Sequence, residues 1–337
     1  DIQANGGAVT LESLAQYEAV PAILVHGSYR GYDLTGSYVP AAGATTIQIL
    51  QALEHFDLAS MDEFQWASVV SQAMRLGFAG SYRDAVSGDV EMARAITSPE
   101  AAAEIARQIE VPVEAAAPAA ARGNGAPHEG ARALALAPAS GSDDWISRQH
   151  HTTHLSASDG DGMMVALTQT IGPNMGSKVA TPGLGFLYAA TLGGYLGYVE
   201  PGERARSAIS PIVVSKDGEP FLVLGAAGGG RIPPAVLQTI LRVIDQGMSL
   251  DEALAAPRVY GRGEGQVELE MTPGIAWSQE VVEGLEGMGL EVTLQERAGA
   301  FGRVHAIQWD AEAGVWVGAA DPDWEGSADG PGDAPDN

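Results

Sequence analysis

Cysteine is absent from all 337 residues. That excludes disulfides, thiolate metal sites and a cysteine nucleophile, and leaves the redox compartment open. Lysine is nearly absent too. Lys178 and Lys216 are the only two, and all bases total 18 against 43 acids. The resulting formal charge of −25 repels nucleic acid and anionic lipid, so neither suits this chain as a partner. No apolar run approaches the roughly 20 residues that cross a membrane. The start at Asp1-Ile2-Gln3 carries no basic-plus-apolar leader, which points to a removed leader or to a beginning inside a longer polypeptide. No Gly-x-Ser-x-Gly elbow occurs either, and His305 reads as a strand residue rather than a member of a serine triad.

What is present suits a globular protein: 45% hydrophobic residues, and a length that allows one large or two ordinary domains. Apolar residues at helical spacing predict helices over 46–58 and 61–76. Ser98-Pro99 opens another with a serine cap and a first-turn proline. The first ~110 residues therefore read as helices with short extended pieces. Residues 111–142, rich in Ala, Pro and Gly, have the composition of a linker.

From residue 152 the pattern turns to strands. Segments 152–158 and 163–170 flank Asp159-Gly160-Asp161-Gly162, a strong hairpin signal. A second hairpin, 209–215 with 220–224, turns at Lys216-Asp217-Gly218. Helices follow over 233–246 and 250–256, the latter with a Ser249/Glu252 capping box. Strands are predicted at 267–270, 292–294, 304–309 and 315–318, then a frayed acidic tail over 321–337. Hairpins mixed with helices indicate an antiparallel-rich α+β or a layered α/β architecture, and fit a parallel doubly wound sheet less well. The division is 1–151, ending in the linker, and 152–337.

The junction His150-His151-Thr152-Thr153-His154 has two readings. Thr152 and Thr153 are β-formers suited to starting a strand. They also stand where an ordered segment follows a flexible one, a place that tolerates a chain break. A cut before Thr152 would give that residue a free α-amine beside its own hydroxyl, and an amine of pKa ~8 serves as general base. If the two strands pair through the Asp-Gly turn, Thr170 lies near Thr152.

The run Phe221–Arg231, a strand passing through Gly228-Gly229-Gly230 towards a helix, has three readings. It could cradle a dinucleotide phosphate, form a backbone oxyanion hole, or let strand and helix pack closely. Against the first, Asp245, the acid at ribose-binding spacing, falls inside the same helix. His150, His151 and His154 make a poor metal set, because residues three apart on a strand face opposite sides. The Asp159–Gly162 run lacks the remaining ligands of a calcium loop. No metal or organic cofactor is expected.

These motifs together resemble the γ-glutamyltranspeptidases (glutathione hydrolases) of the N-terminal-nucleophile superfamily. The resemblance rests on Thr152-Thr153-His154-Leu155-Ser156 with Asp161-Gly162, Ser210-Pro211-Ile212-Val213-Val214 with Lys216-Asp217-Gly218, and Gly228-Gly229-Gly230-Arg231-Ile232. Ala256-Pro257-Arg258 and Gly318-Ala319-Ala320-Asp321-Pro322 match as well. Upstream, Asn5-Gly6-Gly7, Tyr17, Arg30-Gly31-Tyr32 and Gln48-Ile49-Leu50 are similar to the later part of the family's large subunit.

The resemblance implies a four-layer αββα sandwich and cleavage between His151 and Thr152. Thr152 would be the nucleophile, Thr170 its hydroxyl partner, and Gly228 and Gly229 the oxyanion donors. Ser207, Thr191 and Arg231 would touch the substrate. It further implies a heterodimer of the two fragments, a small-molecule amide as substrate, and a periplasmic or extracellular location.

Several positions depart from the family pattern. Gly172 stands in place of an asparagine, Thr191 and Gly194 in place of the glutamine and aspartate that grip a glutamyl ammonium, and Ala208 in place of a serine. An ammonium buried without its counter-charge costs several kcal/mol. Glutathione itself therefore fits poorly as substrate. The large subunit's early strands and carboxylate-binding arginine are expected to lie outside this sequence. The rival readings are an inactive or truncated homologue and, more remotely, a dinucleotide-binding oxidoreductase.

Overall fold

The computed structural model describes residues 1–38, 41–85, 90–113, 150–191, 207–323 and 326–330. Most of the linker, Gly194 and the last seven residues lie outside these.

The main sheet starts earlier than the sequence pattern indicates. Strands β1 (Ile23–Tyr29) and β2 (Tyr32–Tyr38) form a full antiparallel hairpin where only short extended pieces were expected. Its two-residue turn has φ 53° at Arg30 and 77° at Gly31, the geometry that matches strand twist. A non-glycine residue in that region needs support, and Arg30 has it. Its N–H donates to Glu54 Oε1 at 2.7 Å and its Nε to Asp245 Oδ1 at 3.0 Å. Tyr29 Oη donates to the same Asp245 carboxylate at 2.5 Å.

Among the described residues, strands β3 (His150–Ser158) and β4 (Met164–Pro173) pair only with each other. Strands β5 (Ile212–Lys216) and β6 (Glu219–Ala227) join through Asp217-Gly218, at φ 53° and 84°. The chain ends in β11 (Arg303–Asp310) and β12 (Val315–Ala320). The main sheet is six-stranded and antiparallel throughout, in the order β1-β2-β5-β6-β11-β12.

One face of this sheet carries helices. Gly43–Leu53 is buried along almost its whole length, and Ile232–Ile244 contributes Val236, Leu237, Ile240 and Leu241 to the core. They meet Leu34, Ile212, Val214, Leu222, Leu224 and Ala226 of the strands. Each large aliphatic side chain buried here contributes about 1.5–3 kcal/mol. Gly43 allows the first helix to approach, since a Cβ there would lie 2.4 Å from the Ser37 carbonyl oxygen.

The β3–β4 hairpin covers the other face, over β6 and β11. Residue alternation along β6 makes this division: Leu224 and Ala226 face the helices, whereas Gly225 faces the hairpin. A Cβ on Gly225 would sit 2.3 Å from the His154 ring, so only glycine admits that imidazole.

A smaller sheet orders as β10-β8-β7: β7 (Val259–Gly263), β8 (Gln266–Thr272) and β10 (Glu291–Gln295), with short β9 (Ile275–Ala276) on β8. The helix Gln279–Gly287 makes the crossover to β10, which runs parallel to β8. Neither β7 nor this helix is expected from the sequence pattern. A buried ionic quartet joins the two sheets. Arg297 reaches Glu270 at 2.6 Å and Asp321 at 2.5 Å, and Arg258 reaches Asp321 at 3.0 Å. Two cations and two anions, all buried, compensate one another, as burial of charge requires.

Candidate active site

The hairpin's register follows from its turn. Asp159 Oδ1 accepts the N–H groups of Asp161 at 3.0 Å and Met163 at 2.9 Å, and Gly162 takes φ 85°. The strands then pair Ser158 with Met164, Ser156 with Ala166 and His154 with Thr168. At the far end Thr152 stands opposite Thr170, just inside an irregularity in the pairing between His150 and Thr152. Directly opposed residues of an antiparallel pair share a face, so the two threonines point the same way. That face is the one carrying buried His154 and turned towards the main sheet. Thr153, paired with Gln169, points outward and is exposed.

Thr170 Oγ1 accepts the N–H of Gly172 at 3.1 Å, which orients the hydroxyl. Gly172 has φ 91°, and a Cβ there would lie 2.6 Å from the Ala190 carbonyl oxygen. The departure to glycine at this position thus lets the segment around Ala190 close in. Ala190 N–H donates to Ile171 O at 2.8 Å, which brings neighbouring Thr191 to the same end of the hairpin.

Below the threonines lies a hydrogen-bonded row. His154 Nδ1 contacts Thr168 Oγ1 at 2.7 Å and its Nε2 contacts Ser156 Oγ at 3.0 Å. Ser156 Oγ also donates to the Val223 and His305 carbonyl oxygens, at 3.2 and 3.3 Å. A carbonyl only accepts, so the serine proton points there and Ser156 accepts from His154. Nε2 therefore carries the imidazole proton, and Nδ1 accepts from Thr168. This is a neutral histidine. Burial, with a lesser push from His305, holds its pKa down at about 4.

The glycine run leaves β6 with φ 138° at Gly228 and 57° at Gly229, then enters Ile232–Ile244 with Pro233 in its first turn. This turn touches β3. Behind it stands Gly302. A Cβ on Gly228 would meet Gly302 Cα at 2.8 Å, and a Cβ on Gly302 would meet the Arg231 carbonyl oxygen at 2.6 Å. Arg258 Nη1 donates to the Gly302 carbonyl and so anchors this backing to the ionic quartet. Backbone amides in a strained turn before a helix N-terminus are suited to stabilising an oxyanion.

Arg231 is engaged by the protein itself, with Glu268 at 2.7 Å and the Tyr260 ring 3.7 Å from its guanidinium carbon. Ser207 Oγ accepts the N–H of Ile209 at 3.2 Å, at the entry to β5. Ala208 is buried. Asp245 caps the far end of the Ile232–Ile244 helix, roughly 20 Å from its glycine-rich start at 1.5 Å per residue, where Tyr29 and Arg30 occupy its carboxylate. That placement removes the ribose contact from the dinucleotide reading. Among the described residues no group of three His, Asp or Glu side chains is arranged to hold a metal ion, and no helix is long and apolar enough to cross a membrane.

Sequence reasoning missed the inner row, because nothing in the spacing of His154, Ser156 and Thr168 says which strand face is buried. Arg258 and Asp321 stood out in the sequence as motif residues, and the structure pairs them.

The family model described as gamma-glutamyltranspeptidase matches residues 1–330. The glutathione hydrolase proenzyme of Escherichia coli (strain K12) is 32% identical, over 96% of this chain and 55% of the relative. The acylase ACY 1 proenzyme of Pseudomonas sp. (strain V22) is 30% identical, over 94% of this chain and 53% of the relative. The chain spans about half the length of these curated relatives. The crystal structure of cephalosporin acylase from Bacillus halodurans superposes with a TM-score of 0.74 at 24% identity, covering 97% of this chain and 57% of that one, a likeness of fold. The α+β fold is thus the one expected from the sequence, that of the N-terminal-nucleophile hydrolases.

Proposed function

This chain belongs to the γ-glutamyltranspeptidase family, and from that we propose that it is an autoprocessing amidohydrolase whose nucleophile is Thr152. The observation that carries this reading is the register pair of Thr152 and Thr170 on the hairpin's inner face, beside the glycine turn. Strand parity separates the two adjacent threonines, because Thr153 points the other way.

In maturation, Thr152 Oγ attacks the carbonyl carbon of His151. The peptide bond passes to an ester, and water hydrolyses it. The new α-amine of Thr152, pKa ~8, then removes the hydroxyl proton as Oγ attacks an amide substrate. N–H groups of Gly228 and Gly229 stabilise the tetrahedral oxyanion, and the α-ammonium returns its proton to the leaving amine. Water or a second amine releases the acyl group. Thr170 orients the nucleophile, and Ser207 and Thr191 contribute to the substrate side. Arg231, held by Glu268 and Tyr260, supports the glycine turn rather than meeting substrate directly.

The substrate is an amide whose acyl part is less zwitterionic than glutamate. Thr191 in place of a family glutamine, Gly194 in place of the aspartate, and the similarity to an acylase as well as to glutathione hydrolases all support that choice. The two fragments stay together as a heterodimer.

Intact-mass measurement during incubation tests this. The expected product begins at Thr152, Thr152→Ala stays whole, and Thr153→Ala is still cut. A Thr152→Ala chain cleaved before residue 152 would overturn the mechanism. A wild-type chain that never cleaves favours the inactive homologue.

A further inference from the structure

Residues alternate along β11 as they do along β6. Val304 and Ala306 lie in the helix-side core with Ala226 and Leu224, so Arg303 and His305 point to the face that the β3–β4 hairpin covers. The register sets Arg303 directly across from Ala227, and His305 across from Gly225. Directly opposed residues share a face, which puts Arg303 and Ala227 side by side on it.

The strand β3 crosses this surface in matching steps. Ser156 Oγ reaches the Val223 and His305 carbonyl oxygens, and the His154 ring sits on Gly225. Two residues further, about 7 Å along the strand, Thr152 arrives at the level of Ala227 and Arg303, where β3 also meets the glycine turn. β3 lies over β6 and β11, whereas β4 lies over β6 and β5. Thr152 therefore has Thr170 on its β5 side and Arg303 on its β11 side.

The two sides differ in chemistry. Ser207, at the entry to β5, and Thr191, at the Thr170 end of the hairpin, are neutral. On the β11 side stands a half-buried guanidinium. Of the acids near it, Asp321 is bridged by Arg258 and Arg297. The other, Asp323, is pushed above the usual carboxylate range by burial and by Asp321. An amide whose carbonyl oxygen sits at the Gly228 and Gly229 N–H groups sends its two other substituents to the two sides of Thr152. With the acyl chain towards Ser207 and Thr191, the leaving amine faces Arg303.

We infer that Arg303 is a specificity-determining residue that binds a carboxylate on the leaving amine, so that the favoured substrates are amides of amines that carry a carboxylate. The inference rests on the reading of Thr152 as nucleophile and of the glycine turn as oxyanion site. A guanidinium grips a carboxylate through two parallel N–H···O bonds, and its five donors let the protein hold the same group.

A matched pair of amines tests this: 5-amino-2-nitrobenzoate, and 4-nitroaniline, which lacks the carboxylate. Equilibrium dialysis of each is carried out with the full polypeptide as its source makes it, in wild-type, Arg303→Met and Arg303→Lys forms. The wild type should bind the carboxylated amine about tenfold or more tighter than Arg303→Met does, with Arg303→Lys between. Binding of 4-nitroaniline should be the same in all three. Should Arg303→Met fold poorly, Arg303→Gln carries the comparison with the same expectations. A wild type that does not prefer the carboxylated amine, or a variant that weakens both amines equally, overturns the inference. With the glutaryl anilides of the two amines as substrates, Arg303→Met should lower kcat/KM about tenfold for the carboxylated one and leave the neutral one within twofold. Equal losses on both would assign Arg303 a structural role and overturn the inference. Amine preference without any turnover would count against the catalytic reading alone, because dialysis does not depend on it.

Discussion

Gly302 Cα lies 2.8 Å from the place a Cβ on Gly228 would occupy, so two glycines from distant parts of the chain are in backbone contact. Gly228 sits at φ 138°, where an L side chain is strained whatever the space around it. Gly228→Ala is therefore expected to cost about 1–3 kcal/mol and to lower kcat more than it raises KM, because it turns the amide away from the oxyanion. Gly302→Ala should push the same turn from behind. Thermal unfolding and steady-state kinetics on both variants check this. Unchanged kcat in each would separate the glycine turn from catalysis.

His154 gives the fold an acid limit. Its folded pKa of about 4 lies below the ordinary 6.5, so the unfolded chain takes up the proton first as pH falls. Stability is complete above about pH 6.5 and is lost towards pH 4, by up to about 3 kcal/mol from this group. Burial lowers the pKa of neighbouring His305 as well, which adds loss of the same sign. Denaturant titrations at pH 7 and pH 4.5 should differ accordingly. His154→Asn should be less stable at pH 7 and lose less on acidification.

The ionic quartet behind Gly302 should be sensitive to removal of one member. Arg297→Met leaves Glu270 and Asp321 short of a buried cation, at an expected cost of about 3–5 kcal/mol. Arg107→Met breaks the exposed pair with Glu104 and should change stability by less than about 1 kcal/mol. Urea unfolding of the two variants measures the contrast.

Activity should follow the new amine. Once Thr152 is the first residue, its α-amine must be unprotonated to accept the hydroxyl proton, so kcat/KM rises with pH through an apparent pKa ~8. The rate against pH from 5 to 10 tests this. A flat profile over 7 to 9 would point to another base.

The elements that could be read in the sequence were those with local signals. The Asp-Gly turns predicted both hairpins, and the Ser249/Glu252 capping box formed as expected. The β1–β2 hairpin was missed because its turn is Arg30-Gly31, whose positive φ is held by Glu54 and Asp245 rather than by local preference. The helix Gln279–Gly287 was missed because its glycines at 284 and 287 dilute the pattern. Gly284 is set by packing, since a Cβ there would meet the Phe64 ring at 2.5 Å. At the site, the Thr152–Thr170 pairing followed from strand length and turn position alone. The seat of His154 against Gly225 and the backing at Gly302 depend on contacts between residues more than 70 apart, which no spacing rule contains.

Thr152 as nucleophile is tested most directly by quenching the matured protein during turnover of an N-acyl amide and mapping the acyl group by mass spectrometry. The account predicts an ester-linked acyl group on the peptide whose first residue is Thr152. Turnover with the acyl group on any other residue, or with Thr152 never modified, would contradict it.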